Sequence, residues 1–231
     1  MSRKGWLIGG AVVVVIAIVV ALVVVSTSGG DSDSGNGSAS NVQGVAKVTA
    51  LTKGIPEKGF TIGQANAPVT VREYIDPQCP VCEAASIKTI PGIIKGPVKD
   101  GTAKLIIEPL TFIGPASSDA ALAIAAAAKQ DKGFTYTEIL YANQGQENSG
   151  WVTDEILTAF AEKAGLDVAA WDAARKDNAT GDVLFAVADR AQAAGANSTP
   201  TFVITGPGGT EVITGAVEAS EVNAAIESVK S

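Results

Sequence analysis

Val69-Thr70-Val71-Arg72-Glu73-Tyr74-Ile75-Asp76-Pro77-Gln78-Cys79-Pro80-Val81-Cys82 decides how the chain is read. Val69 to Ile75 alternates and is rich in β-branched and aromatic residues, so it reads as a strand. Directly after it stand the only two cysteines in 231 residues, and histidine is absent altogether. Val81 to Ile90 then has helical spacing, with Pro91-Gly92 as its expected break. A dithiol in the first turn of a helix can cycle between thiols and a disulfide. Without imidazole, Ser-His-Asp hydrolysis, Cys-His proteolysis and His-ligated metal sites are all excluded. Two thiolates do not complete the four-ligand shell of structural zinc, so no metal and no other cofactor is expected.

Cys79 is expected at the N-terminal end of the helix, with Pro80 and Val81 in its first turn. Free backbone N–H groups and the positive end of the helix dipole would favour its thiolate. Pro80 suits a first turn, where its missing N–H loses nothing. Cys82 lies one turn deeper on the same face, less exposed, and would resolve the bond that Cys79 makes. A permanent disulfide here would stabilise little, because so short a loop constrains little unfolded-chain entropy.

Hydrophobic residues make up 46% of the chain, and part of that is one block. Residues 6–25 are apolar or Gly throughout, enough at about 1.5 Å per residue to cross a hydrocarbon layer of about 30 Å. Arg3 and Lys4 precede the block, so the positive-inside rule leaves residues 1–5 in the cytoplasm and places the chain beyond Val25 outside. A cleaved signal peptide is the alternative; its apolar region is typically shorter, about 7–15 residues. Either way the CxxC lies where disulfides persist. Residues 26–41, built from Ser, Gly, Asp and Asn, read as a flexible linker. The net charge of −7, without a basic run, argues against nucleic acid as a partner.

Residues 42–231 form the expected extracytoplasmic domain. Val45 to Leu51 reads as a strand or extended segment, and Lys104 to Leu110 as a strand buried on both faces. Helices come next, capped by Ser117 or Ser118, by Thr153, by Asp167 and by Thr180, with Gly195 as a stop. Thr201 to Thr205 and Glu211 to Thr214 form a hairpin across Gly206-Pro207-Gly208-Gly209, and a Ser220 cap opens the last helix. The order predicts an α/β domain with a helical insertion at about 115–195.

The strand–CxxC–helix unit resembles the thioredoxin superfamily. With Ala67-Pro68 before the strand, the helical block, and Ser198-Thr199-Pro200-Thr201-Phe202, it is similar to exported DsbA-like thiol:disulfide oxidoreductases. The membrane-anchored Gram-positive and actinobacterial versions are nearest, and the resemblance runs from about Gly59 to the C-terminus. It implies a thioredoxin-like fold and an enzyme that forms disulfides in exported clients with free thiols. It also implies a DsbB- or VKOR-like membrane partner that passes electrons to quinone. Pro200 would be a cis-proline opposite the sulfurs, and Thr199 before it would pair with an extended client segment by β-strand addition. A proline that merely starts a strand is the other reading.

Glu73 stands where this superfamily often has a buried acid beneath the deeper cysteine. Alternation puts it on the face of Val69, Val71 and Ile75, where burial would raise its pKa and let it exchange a proton with Cys82. The alternative is an acid that reaches water or a lysine. Strongly oxidising members carry histidine between the cysteines; Val81 stands there, so the couple should be less oxidising than about −120 mV. A disulfide reductase or isomerase, and a tethered redox-sensing module, are the rival functions.

Overall fold

The computed structural model describes residues 41–231. The expected anchor at 6–25 and all but the end of the linker lie outside them. Among the described residues, no helix is long and apolar enough to cross a membrane.

The chain runs α1 (Val45–Thr52), β1 (Glu57–Lys58), β2 (Thr61–Ile62), β3 (Val69–Ile75), α2 (Pro80–Lys88) and α3 (Ile90–Ile93). A π-helical turn (Ile94–Val98) leads to β4 (Ala103–Pro109). Five helices come after it: α4 (Pro115–Ala128), α5 (Gly133–Tyr141), α6 (Asp154–Lys163), α7 (Val168–Arg175) and α8 (Asn178–Ala194). The hairpin β5 (Thr201–Gly206) and β6 (Gly209–Thr214) and the helix α9 (Ala219–Val229) complete the domain.

One six-stranded sheet has the order β1-β2-β4-β3-β5-β6. Its centre, β3, runs parallel to β4 with Val71 opposite Leu105, and antiparallel to β5 with Glu73 opposite Phe202. The period of two in β3 sends Val69, Val71 and Ile75 into the main core with Phe202, Ile204, Val222 and Ile226. Tyr74 points to the opposite face, where it meets Val187 and Ala191 of α8 and Val203 of β5. A buried β3 is thus clamped from both sides, which fixes the height at which it hands the chain to the cysteines. The helical block has its own aromatic centre, with Tyr136 edge-on to Phe160 at 6.2 Å and 6.0 Å from Trp171. Both polar tips there are satisfied, Tyr136 Oη by Leu157 O and Trp171 Nε1 by Ala123 O, each at 2.9 Å.

Thr153 and Asp167 cap α6 and α7 through Ile156 N–H and Ala170 N–H, and Gly195 ends α8 with φ 69°. Other expectations fail for identifiable reasons. Val45 to Leu51 is helical, because Val45, Val48 and Leu51 share one helix face on the core and packing overrides β-propensity. Pro91 does not end the helical run; it occupies the first turn of α3, and the kink falls at Gly96, just before Pro97. Helix α4 starts at Pro115, so Ser117 lies inside it and turns its hydroxyl to Asp76 rather than capping. Asp177, not Thr180, caps α8, while Thr180 Oγ1 donates to Ala174 O. Glu218 precedes α9 in place of a Ser220 cap. Strand β4 is buried on both faces only at its end, since Lys104 and Ile106 are half-exposed. There the buried Glu108 accepts from Arg72 and from Arg190.

Candidate functional site

At Ile75 the strand ends and the chain turns through Asp76-Pro77-Gln78 into α2. Cys79 is the N-cap residue, extended at φ −75° and ψ 117°, with Pro80 next in the first turn. The turn is held by Asp76, whose buried carboxylate accepts from Gln78 N (2.8 Å), Ser117 Oγ (2.7 Å), Phe112 N (2.6 Å) and Ile113 N (2.9 Å). Tyr141 Oη donates to Asp76 O at 3.0 Å, and Gln144 Nε2 to Pro77 O at 2.8 Å. Gln78 bridges the same block, donating to Ser117 Oγ and accepting from Asn148 N. The helical block therefore braces the CxxC turn from behind. Asp76→Ala is expected to cost about 3 kcal/mol or more in urea denaturation, because several buried donors lose an anionic acceptor at once.

The two sulfurs sit in different environments. Cys79 is 6% exposed, less open than expected for a docking sulfur, and Cys82 is fully enclosed. The Cys79 thiol is drawn down to about 6, chiefly because the Cys82 thiol donates to its sulfur. Burial works against that, and the Thr199 side chain and the N–H groups of Cys82 and Val81 add to it. The backbone donors at the helix start, expected to favour the thiolate, do so but are the smaller contribution. Cys82 is pushed well above the usual thiol range, by burial first and then by Cys79. One sulfur ionises because the other keeps its proton. The rate of Cys79 alkylation by iodoacetamide should therefore rise with pH through an inflection near 6. Cys82→Ala removes the leading donor and should move that inflection upward.

Thr199 closes the site from the far end of the chain. Its carbonyl lies 3.5 Å from Cys79 Sγ, where it accepts from the protonated thiol. The Thr199–Pro200 peptide is cis, and Pro200 is buried. Thr199 stands two residues ahead of the first rung of the β3–β5 ladder, Tyr74 opposite Thr201, so its backbone lies at the end of the sheet.

Glu73 is 2% exposed, and burial raises its carboxyl well above the usual range, with the charge of Glu138 raising it further. Its charge is felt in turn at Cys82. Cys79, Cys82, Glu73, Thr199 and Pro200 thus converge where β3 passes into α2. Sequence reasoning missed Asp76, Tyr141 and Glu138. The visible signal for Glu138 is a single acid inside the otherwise uncharged run Phe134 to Tyr141. It is 4% exposed, accepts from Ser86 Oγ at 2.9 Å, and burial raises its carboxyl to about 8.

Comparison with known proteins agrees with this geometry. Over 151 residues the chain is 28% identical to the "Probable disulfide bond formation protein D" of Bacillus cereus, covering 63% of this chain and 69% of that protein. Over 103 residues it is 32% identical to disulfide bond formation protein D of Bacillus subtilis, covering 44% of this chain and 46% of that one. The crystal structure of oxidised BdbD from Bacillus subtilis superposes with a TM-score of 0.67 at 24% identity, over 76% of this chain and 96% of that chain. The family described as Thioredoxin matches residues 56–228, from the strands before the dithiol to the last helix, and the chain belongs to that family.

Proposed function

We propose that this thiol:disulfide oxidoreductase introduces disulfides into exported proteins. The carrying observation is the opposed pair of thiols, one drawn down to about 6 at a helix start and the other enclosed and protonated. Relatives named for disulfide bond formation support the same direction. In the oxidised enzyme a client thiolate attacks the Cys79 sulfur. The Cys79–Cys82 bond breaks, its electron pair passes to Cys82, and that sulfur takes a proton. A second client thiolate then attacks the client's own sulfur in the mixed disulfide and expels Cys79 as a thiolate. The client loses two electrons and the enzyme gains two. A thiol of pKa about 6 leaves readily at neutral pH.

Reoxidation calls for a DsbB- or VKOR-like membrane protein that hands the electrons to quinone. Residues 6–25 would anchor the enzyme beside it and beside emerging clients. Thr199, at the end of the sheet and against Cys79, would pair with the client backbone, and Glu73 would exchange the proton of Cys82.

One observation favours a second reading, reduction or isomerisation. A thiol near 6 is closer to the ~7 of thioredoxin than to the ~3.5 of the strongest oxidant. The Val81 side chain supplies no hydrogen bond that would lower it further. Cells quenched in acid and alkylated should show the pair mostly as disulfide, with a measured potential more reducing than about −120 mV. A resting pool that is mostly dithiol would transfer the assignment to a reductase.

A further inference from the structure

A cavity of about 380 Å³ opens between α1, α3 and the π-helical turn, lined by Lys47, Lys53, Lys95 and Lys99 around half-buried Leu51 and Pro91. All four lysines are exposed. Among the described residues none of them has an ion-pair partner, whereas Lys58, Lys129, Lys176 and Lys230 each hold an acid. No carboxylate lines the cavity. Asp100, next to Lys99, accepts from Thr102 N instead, and only Lys47 is felt by a buried acid, Glu138. In a chain of net charge −7 this is a local concentration of positive charge, and the dithiol chemistry leaves it unused. Its place in the fold is equally specific. Lys99 shortly precedes β4, whose first residue, Ala103, pairs with Val69 at the end of β3 away from the cysteines. At about 3.3 Å per residue the length of β3 sets that end roughly 20 Å from the dithiol. Helix α1 is also the first element of the domain, so the cavity lies where the expected linker at 26–41 joins it.

We infer that this basic cavity docks the domain on the anionic lipid headgroups of the membrane that residues 6–25 would span. The inference rests on the anchor of the proposed function. A flexible chain over 26–41 has an r.m.s. span of about 20–24 Å, so a lysine face at its end stays within reach of the headgroups. The tether makes docking intramolecular, and weak phosphate contacts then suffice. Lysine ammoniums are compact point charges with three donors, which suits phosphate oxygens that arrive at varied angles. Each lysine near an anionic surface is worth about fivefold in affinity. An acidic client would gain little from this face, because it lies at the opposite end of the sheet from the sulfur that the client must reach. Seated on lipid, the domain holds Cys79 roughly 20 Å above the membrane, turned toward clients. Reoxidation by a partner within the membrane then requires the face to lift, so docking and reoxidation alternate.

The test uses the full chain reconstituted in vesicles of phosphatidylcholine, alone or mixed with phosphatidylglycerol. Lysines are acetylated with a soluble amine reagent and their rates read by mass spectrometry. In the anionic vesicles Lys47, Lys53, Lys95 and Lys99 should react about fivefold more slowly than in the neutral ones. Lys129, Lys163 and Lys176, on the helical block, should react alike in both. Salt at 1 M, where the Debye length is about 3 Å, should erase the difference. The triple change Lys53→Gln, Lys95→Gln and Lys99→Gln should return Lys47 to its neutral-vesicle rate. The triple change Lys129→Gln, Lys163→Gln and Lys176→Gln, with the same loss of charge, should leave the protection in place. Equal rates in the two vesicles would overturn the docking, and so would protection lost to the same extent in both triple variants. Protection by inorganic phosphate in neutral vesicles would mark a small-anion site instead of a lipid surface. Protection by added poly-glutamate but not by anionic lipid would assign the face to acidic proteins; either result overturns the docking. A chain that does not float with neutral vesicles would remove the anchor and this inference with it. Exchange with dithiothreitol in solution reports separately on the oxidoreductase reading.

Discussion

Cys79→Ser is expected to reduce thiol–disulfide exchange to background, a fall of at least about 10³-fold on the scale of other deleted nucleophiles. Exchange requires a sulfur that both attacks as an anion and leaves as one, and a serine hydroxyl does neither near neutral pH. The fold should change little, because Cys79 sits at a helix cap and its backbone bonds, Cys79 N to Asp76 O and Glu83 N to Cys79 O, survive. The partner substitutions separate two roles of Cys82. Cys82→Ser retains an O–H that can donate to the Cys79 sulfur, so the thiolate stays acidic while the resolving sulfur is gone. Cys82→Ala loses both. Cells that carry Cys82→Ser should accumulate mixed disulfides between Cys79 and many exported proteins, visible on non-reducing gels and absent from the Cys79→Ser strain. A single partner, or none, would instead mark a sensor whose dithiol only switches its shape.

The parts of the fold legible in the sequence are those whose cause is local. Strand β3 is legible to the residue because alternation, β-branching and a trailing Asp-Pro are all contained within it or directly after it. The β5–β6 hairpin is legible for the same reason, as its Gly-Pro-Gly-Gly turn names its own geometry. Thr153 and Asp167 announce their helices because a cap is satisfied three residues away. Helix α1 is hidden because its Val residues favour extended backbone, and only contact with the core makes one face of it worth burying. Ser117 misleads because a carboxylate 41 positions earlier competes for its hydroxyl.

The site divides along the same line. The cysteine pair and Thr199-Pro200 are short motifs with a mechanism in their spacing. The groups that set the electrostatics are not. Tyr141 reaches Asp76 across 65 positions, and Ser86 reaches Glu138 across 52. The one hint of Glu138 in the sequence, its place in an otherwise uncharged run, says nothing of its partner Ser86 or its depth until α2 and α5 close over it. Alternation alone places Glu73 on the apolar face, but its depth comes from the register with Phe202 and Ile107, which only the assembled sheet fixes. The chemistry is therefore visible before its tuning.

Stability should fall less steeply with pH in the dithiol form than in the disulfide form. Glu138 holds its proton to about 8 in the folded chain but only to about 4.5 unfolded, so the folded state binds the extra proton between those values. Its contribution is complete below 4.5 and is lost as pH rises through 8, at about 1.4 kcal/mol per pH unit. Glu73 acts in the same direction. Cys79 acts oppositely in the dithiol form, because its folded value of about 6 lies below the unfolded 9. Its contribution is present above 9 and disappears as pH falls through 6. The disulfide form has no Cys79 titration and should lose stability steeply from pH 5 to 8 in urea denaturation, whereas the dithiol form should flatten above pH 6. Glu138→Gln should take about 1.4 kcal/mol per pH unit off the slope of both forms across the window from 4.5 to 8. A slope unchanged by that substitution would mean that Glu138 is ionised and solvated in the native protein. Equal slopes for the two redox forms above pH 6 would mean that Cys79 carries no thiolate at neutral pH, and the exchange chemistry would have lost its nucleophile.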